Sequence, residues 1–374
     1  MKGQVSQAKT KVFVGVSGGV DSSVALALLQ KDGYDVTGVF LKVWAPDFLP
    51  CEWRDERRSA MRVCATLGVP FLTLDCEKEY KELVVDYMLS EYKAGRTPNP
   101  DVFCNKYVKF GVFLKKALSL GADYVATGHY AQISGGVSSG AHEVNPREIC
   151  LREAEDKGKD QSYFLSQLGQ HELSHALFPI GHLKKSEVRK IAAGLNLPTA
   201  EKKDSQGLCF IGKVDMKEFL KHYIETKRGD VLNTEGRKIG LHEGSELYTI
   251  GERHGFTITE KTDHDAPLFV VSKDITKNTI TVAPRGTLGE KVSPCSGVGE
   301  IGLSGMHWIG GKEADLGKTY GVRFRYRQEK VKSTIIKKGE GYTVQPSKTQ
   351  DDIASGQIAV VYDGDVCVGA GIVV

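Results

Sequence analysis

VSGGVDSS, residues 16–23, stands between an apolar run and a helix-forming stretch, and its reading decides the fold of the first half of the chain. The preceding KVFV (Lys11–Val14) is short, β-branched and followed by a glycine, the pattern of a buried strand. The following DSSVALALLQ has the composition and length of a helix, opened by Asp21 or Ser22. A strand, a glycine-rich turn and a helix start form an anion site, because free backbone N–H groups and the helix dipole converge there. A phosphate is the expected anion.

Two other phosphate loops are excluded by spacing. A Walker loop reads GxxxxGK[ST], whereas here Asp21 and Ser22 follow GGV with no lysine; GVSGGV also lacks the GxGxxG of a dinucleotide fingerprint. An ordinary strand-to-helix turn needs one glycine, but Gly18 and Gly19 are adjacent and flanked by Ser17, Ser22 and Ser23. The stretch resembles the SGGxDS loop of the PP-loop ATP pyrophosphatases, which hold the pyrophosphate end of ATP there and activate their substrates by adenylation. The resemblance implies ATP contacts at Gly15, Val16, Ser17, Gly18, Gly19, Val20, Asp21 and Ser22.

The composition is that of an ordinary soluble protein: 374 residues, enough for two or three domains, 26% charged and 40% hydrophobic. No apolar run approaches the roughly 18 residues needed to span a bilayer, and MKGQVSQAKT has no apolar signal core. Eight cysteines (51, 64, 76, 104, 150, 209, 295 and 367) are scattered without a CxxC pair, which argues against a disulfide scaffold or a zinc site. A reducing cytoplasm is expected. A formal charge of +3 neither requires nor excludes a nucleic-acid partner.

Strands and helices alternate through the first two hundred residues. YDVTGVFLKV (34–43) and PFLTLDC (70–76) read as strands, and WRDERRSAMRVCATLG (53–68) as a helix closed by Gly68 with its arginines outward. VKFGVFLKKALSLG (108–121) reads as another helix and ADYVATGHY (122–130) as another strand. This order implies a parallel sheet covered by helices, with ligands at the carboxyl ends of its strands, where Ser17 and Gly128–His129 both fall. SGGVSSG (134–140) reads as a short loop within this domain. After about residue 213 the texture turns glycine-rich. From about 292, short β-like runs suggest a small barrel or sandwich, ending in a hairpin that turns at Asp363–Gly364.

Two cysteines stand in informative surroundings. In GRTPNPDVFCNKYVKFG (95–111), Pro98 and Pro100 forbid an earlier helix and Asp101 is a good N-cap, which places Cys104 in the first turn. A helix start, Lys106 and Lys109 favour its thiolate, whereas Asp101 opposes it. Cys209, in EKKDSQGLCFIGK (201–213), reads by itself as a buried strand residue. The ordered set SGGVDSS, TPNPDVFCN, TGHYA, KDQSYFL, FPIGHLKKSEVR and KKDSQGLCFIG, extended by YTIGERHGF (248–256) and RFRYRQ (323–328), resembles the tRNA-specific 2-thiouridylases, the wobble-uridine thiolases of the PP-loop superfamily. The resemblance covers nearly the whole chain.

It implies an α/β fold: a parallel-sheet PP-loop ATP pyrophosphatase domain (adenine nucleotide alpha hydrolase-like) at 1–213, a small central β-rich docking domain at 214–291 and a C-terminal β-barrel at 292–374. It implies that ATP, with Mg²⁺, adenylates the C2 oxygen of a wobble uridine and that a cysteine persulfide then delivers sulfur, giving 2-thiouridine, AMP and pyrophosphate. Cys209 would carry the persulfide. Cys104 would release hydrosulfide or resolve the persulfide as a transient Cys104–Cys209 disulfide; direct persulfide attack is the alternative. Asp101 would help activate the uridine, with Asn99, Pro100 and Asp101 meeting the target base. Leu41 and Gly128 would lie against ATP; His129, Lys159, Asp160, Gln161, Arg325, Tyr326 and Gln357 would contact tRNA. The partners implied are a tRNA with a wobble uridine and a sulfur donor, either a cysteine desulfurase or a persulfide relay protein, with no membrane and the chain a monomer.

VRFRYRQ also argues for RNA by itself. As a strand it places Arg323, Arg325 and Arg327 on one face, suited to phosphates, and Phe324 and Tyr326 on the other. The basic runs KKSEVRK (184–190) and EKK (201–203) read as solvated faces. APDFLPCEWRDERR (45–58), which includes Cys51, Glu252 and His254 in TIGERHG, and ASGQ before Ile358 depart from the pattern of many bacterial members. Two other readings are an enzyme adenylating a different substrate, such as an amidating ligase, and a non-catalytic tRNA-binding protein. The cysteine pair argues against the first, and the intact Ser17, Asp21 and Asp101 against the second.

Overall fold

The computed structural model describes residues 9–49, 53–135, 149–203, 215–259, 266–284, 299–350 and 353–374. Its first sheet is all parallel: β1 (Lys11–Gly15), β2 (Asp35–Lys42), β3 (Phe71–Asp75), β4 (Tyr124–Ala126) and, after the hairpin β5 (Ala131–Ser134) and β6 (Cys150–Glu153), β7 (Ala176–Leu177). The strand order is β3-β2-β1-β4-β7, so the chain changes direction across the sheet between β1 and β4. A crevice opens at the carboxyl ends of those two strands. Val12 and Val14 of β1 are wholly buried, as expected of a strand covered on both faces.

Helix α1 (Val20–Lys31) starts one residue before the expected Asp21, with Gly19 as N-cap. It is buried on nearly all sides because it lies between the sheet and α5 (Lys185–Gly194). Helix α2 (Trp53–Leu67) buries Ala60, Val63 and Cys64 and is followed by Gly68 at φ +66°, matching the expected amphipathic helix. Two longer helical stretches follow. The first, α3 (77–93), is continuous through the π segment Lys81–Val85.

The second, α4 (100–119), joins the helix expected to start at Asp101 with the one expected over 108–121, and is π-helical over Cys104–Phe113. Its cap is Asn99, whose side chain accepts from Val102 N, with Pro100 in the first helical position; the expected cap, Asp101, is already inside. Cys104 therefore lies in the second turn, not the first. The strand expected over 122–130 is also shorter. After Ala126 the chain turns, and β5 leaves the parallel sheet.

The central sheet has order β10-β9-β8-β12-β11, built from β8 (Gly229–Leu232), β9 (Lys238–His242), β10 (Thr257–Ile258), β11 (Leu268–Asp274) and β12 (Thr279–Pro284), with α6 (Met216–Lys221) before it. The last six strands are β13 (Ile301–Trp308), β14 (Thr319–Arg323), β15 (Val331–Lys338), β16 (Gly341–Pro346), β17 (Ile358–Asp363) and β18 (Val366–Val373). Pairing of β13 with both β16 and β18 closes them into an antiparallel barrel, of the two expected forms the barrel. The terminal hairpin turns at Gly364, φ +61°. The hairpin β5–β6 adds to this sheet through β6 and β18, so a piece of the first 213 residues belongs structurally to the barrel. One apolar cluster joins Phe103, Val108 and Tyr163 with Leu247 and Val270 of the central part and Ile358 and Val360 of the barrel.

Candidate active site

A glycine N-cap has no side chain to accept hydrogen bonds, and Gly19 makes no side-chain cap to α1. The N–H groups of its first turn, at Val20, Asp21 and Ser22, lack intrahelical acceptors and face the crevice. Gly18 adopts φ +75°, and a Cβ there would come 2.6 Å from the Glu56 carbonyl oxygen, so the position needs glycine on both counts. The loop is tied by its serines: Ser17 N donates to Ser22 Oγ (3.2 Å) and Ser23 Oγ donates to the Gly19 carbonyl (2.7 Å).

Gly128, two residues past β4, closes the other side: a Cβ there would lie 2.5 Å from Ser22 N and 2.7 Å from the Asp21 carbonyl carbon. Leu41 buries its side chain in the sheet. Because β1 ends at Gly15 opposite Val39, the Leu41 backbone runs past that end, at the rim of the crevice. Gly15, Val16, Ser17, Gly18, Gly19, Val20, Asp21, Ser22, Leu41 and Gly128 thus surround one crevice.

Three residues of this site lie within the quoted motifs but are not singled out from the sequence. Asp21 accepts from Tyr130 Oη (2.8 Å) and from Lys185 Nζ at both carboxylate oxygens (2.7 and 2.8 Å). Lys202 Nζ donates to the Gly18 carbonyl (3.0 Å). Both lysines lie in stretches that read as solvated basic faces, and neither contact has a local signal, since more than 160 residues separate the partners.

A second group of candidates lies on the segment entering α4. Arg96 reaches Glu91 through two hydrogen bonds (2.6 and 2.5 Å). Thr97 N donates to the Ser355 carbonyl (2.8 Å), and Gln357 Nε2 donates to the Thr97 carbonyl (2.9 Å). Asn99, Pro100 and Asp101 follow as the first turn, and Asn105 Nδ2 donates to the Asp101 carbonyl (3.0 Å). Cys104 is buried, 1% exposed. Cys209, Cys51 and Cys295 lie outside the described residues, and with them the Cys104–Cys209 pairing. Burial pushes the thiols of Cys64 and Cys76 up to about 11, and that of Cys367 higher still. These three are poor sources of thiolate.

The candidate tRNA contacts hold several parts of the fold together. His129 is 6% exposed, shares a hydrogen bond with Thr127 Oγ1 (2.7 Å) and packs between Phe110 and Phe178. Burial, with Lys109 nearby, holds its imidazole well below the usual histidine range, so it is neutral at pH 7. Asp160 accepts from Ala154 N, Ser162 N and Ser162 Oγ and pairs with Arg323 (2.9 Å). Gln161 Oε1 accepts from Tyr130 N (2.9 Å), and Lys159 is half-buried beside it. Gln357 holds Thr97, as above.

The expected arginine face does not form. β14 ends at Arg323, which is buried against Glu153 (2.8 Å) and Asp160. Gln328 Oε1 accepts from Phe324 N and Arg325 N and folds the next residues into a turn, with Arg327 at φ +64°. Arg325 donates to the Ile250 carbonyl (2.7 Å), and the Tyr326 ring lies 4.3 Å from that of Phe164. Residues 324–328, Gln350 and Ile353 line a cavity of about 340 Å³.

No helix among the described residues is long and apolar enough to cross a membrane, and those residues hold no cluster of three or more metal-ligating side chains. Comparison with known proteins matches residues 10–213 to the family described as "tRNA methyl transferase HUP domain", 217–284 to "tRNA methyl transferase PRC-barrel domain" and 298–373 to "Aminomethyltransferase beta-barrel domain". The chain is 45% identical to the tRNA-specific 2-thiouridylase MnmA of Streptococcus thermophilus over 98% of its own length and 95% of that protein's. It is 44% identical to the protein of the same name from Streptococcus uberis over the same shares. A solved 4-thiouridine synthetase–RNA complex with bound ATP is similar at 15% identity and TM-score 0.34, over 57% of this chain and 50% of that one, too distant to bear on the chemistry. The near full-length matches, together with the three consecutive domain matches, show that the chain belongs to the tRNA-specific 2-thiouridylase family.

Proposed function

We propose that this protein is a tRNA-uridine 2-sulfurtransferase that converts a wobble uridine to 2-thiouridine with ATP. The observation carrying this reading is the glycine-capped start of α1, closed by the backbone of Gly128 at the β1/β4 crevice, in a chain of this family. The C2 oxygen of uracil is a poor leaving group. Its attack on the α-phosphate of ATP expels pyrophosphate, which the N–H groups of residues 17–22 receive, and converts that oxygen into part of a good leaving group, AMP. Asp101, in the first turn of α4, helps activate the uridine, with Asn99 and Pro100 beside the base.

Cys209 carries the persulfide. In one route its terminal sulfur attacks C2, AMP leaves with the former O2, and Cys104 attacks the Cys209 sulfur; the S–S electron pair stays with the sulfur on C2. In the other, Cys104 attacks first and releases hydrosulfide, which attacks C2. Both routes end in a Cys104–Cys209 disulfide that an external thiol reduces.

Magnesium, carried in with ATP, would neutralise charge on the phosphates, and Asp21, whose carboxylate is engaged by Lys185 and Tyr130, would have to give up one of these contacts to reach it. The three parts 1–213, 214–291 and 292–374 divide the work into chemistry, docking and tRNA contact, the last through Arg325 and Tyr326 beside their cavity. A cysteine desulfurase or persulfide relay protein loads Cys209, and the enzyme acts as a cytoplasmic monomer.

The test is release of AMP and pyrophosphate from Mg·ATP with no tRNA, with an unmodified wobble-uridine tRNA and with the same tRNA carrying cytidine. Release confined to the uridine tRNA is expected, and Cys104→Ser and Cys209→Ser should abolish thiolation while tRNA binding survives. Release without tRNA, ADP in place of AMP, or thiolation retained in either variant overturns the reading.

A further inference from the structure

The stretch KDQSYFLSQL (159–168) runs between the barrel and α4, and two of its buried side chains each hold both. Tyr163, on the short helical turn Ser162–Leu165, is wholly buried, and its Oη donates to the carbonyl of Ile358, the first residue of β17 (2.8 Å). The side chain of Asn99, the cap of α4, hydrogen-bonds the same hydroxyl. That hydroxyl has a single proton, already given to Ile358, so it accepts from Asn99 Nδ2 and leaves Asn99 Oδ1 to Val102 N (3.3 Å). Gln167, also buried, repeats the arrangement. Its Nε2 donates to the Ala370 carbonyl in β18 (3.2 Å), and its Oε1 accepts from Lys106 Nζ (3.1 Å).

The two side chains bracket one piece of α4. Asn99 and Lys106 are its ends, and Asp101 and Cys104 lie between them. Joining a helix to a barrel needs only apolar contact, which Val102, Phe103 and Leu165 already supply in the shared core with Ile358. A buried hydroxyl and a buried amide cost free energy unless they are paired, and what directional pairing adds is a fixed orientation. The bracketed stretch has need of it. From Cys104 on it is π-helical, without the regular ladder that holds an α-helix in one register.

We propose that Tyr163 and Gln167 are positioning residues of the thiolation site, which hold Asp101 and Cys104 at one place and orientation relative to the barrel, and so relative to a tRNA docked on it. The proposal rests on the sulfurtransferase reading above. Neither residue acts on the reacting atoms. Tyr163 orients the Asn99 amide, Gln167 anchors Lys106, and the ATP crevice at β1, β4 and α1 depends on neither.

The test compares the wild type with Tyr163→Phe, Gln167→Met and Ser162→Ala. Thiolation of wobble-uridine tRNA is followed with Mg·ATP and a cysteine desulfurase supplied with cysteine, beside amide hydrogen exchange over residues 99–106. Tyr163→Phe and Gln167→Met should each lower kcat about tenfold, with KM for tRNA and ATP affinity within about twofold, and should speed exchange at 101–106 about tenfold in proteins that still melt cooperatively. Ser162→Ala is the control. It removes a contact of the same stretch with the barrel, Ser162 Oγ to Tyr362 Oη (3.2 Å), without touching α4, and should leave kcat and exchange unchanged. An intact kcat in Tyr163→Phe and Gln167→Met, even with a lowered melting temperature, overturns the proposal and leaves the pair a structural brace. A kcat lost equally in Ser162→Ala also overturns it. A wild type that forms no 2-thiouridine overturns the sulfurtransferase reading instead, and unchanged exchange in the two variants then overturns the bracing by itself.

Discussion

Gly128→Ala tests the architecture of the crevice with a single methyl group. Gly128 is not among the glycines with positive φ, so alanine adds no backbone strain there and its effect is steric. The new Cβ would sit 2.5 Å from Ser22 N, 2.7 Å from the Asp21 carbonyl carbon and 2.9 Å from Ser22 Cα, where ordinary contacts begin at 3.4 Å. The start of α1 must therefore recede from β4 by about 0.9 Å, and since the atoms struck are backbone, no side chain can turn aside to absorb it. That shift displaces the N–H groups proposed to receive the phosphates.

A misplacement of about 1 Å costs on the order of 10²-fold in a preorganised site, and overpacking costs about 1–3 kcal/mol of stability. ATP affinity by calorimetric titration and AMP release with wobble-uridine tRNA should both fall by about that factor, in a protein that still unfolds cooperatively. Gly194→Ala is the control: at the last residue of α5 its Cβ meets nothing within 4 Å, and ATP binding should be unchanged. A folded Gly128→Ala protein that binds ATP within about threefold of the wild type would refute the steric reasoning.

Arg323→Ala leaves Asp160 buried without its cation, while Glu153 keeps Lys330 (3.0 Å), and urea unfolding should show a loss of about 3 kcal/mol. His129 has its pKa depressed by burial, so below about pH 6.5 the unfolded chain binds a proton that the native one refuses, and stability falls with pH by up to about 1.4 kcal/mol per unit. His129→Gln should make that acid limb shallower without changing stability at pH 8 relative to its own plateau; an unchanged limb in thermal melts from pH 4.5 to 8 counts against the assignment. Gln357→Ala removes the hydrogen bond to the Thr97 carbonyl and should slow thiolation about tenfold with tRNA affinity within twofold. A loss confined to tRNA affinity would return Gln357 to the RNA-contacting surface.

What could be read in the sequence was what is local. β1, the glycine pair and α1 follow from periodicity and turn chemistry over some twenty residues, and α2 with its closing glycine from one amphipathic pattern. The cap of α4 was misplaced by two residues because Asn99 and Asp101 are both good caps, and Pro100 between them favours a helix that starts on itself. The arginine alternation failed for a tertiary reason: Gln328 captures two backbone N–H groups and ends the strand, while two buried carboxylates take Arg323. Nor does any local pattern send β5–β6 to the barrel, or Lys185 and Lys202 to a loop more than 160 residues away.

The segment before Cys104 shows why three domains are needed for one reaction. Gly95, at φ +74°, packs its backbone on Ile275 of the central part, and Thr97 Oγ1 lies 3.2 Å from Thr249 Oγ1. On the other side the barrel supplies the Ser355 carbonyl, the Gln357 amide and Gly356, whose φ of +91° lets its backbone close on Thr97, where a Cβ would lie 3.0 Å away. Only Pro98 then separates this clamp from the turn that carries Asn99, Pro100 and Asp101. The phosphate loop takes its own contacts from β4, α2, α5 and the 199–202 strap. Loosening the barrel must therefore move Asp101 and Cys104 before it disturbs the phosphate site. A barrel variant that lost ATP affinity while keeping sulfur transfer would contradict this arrangement.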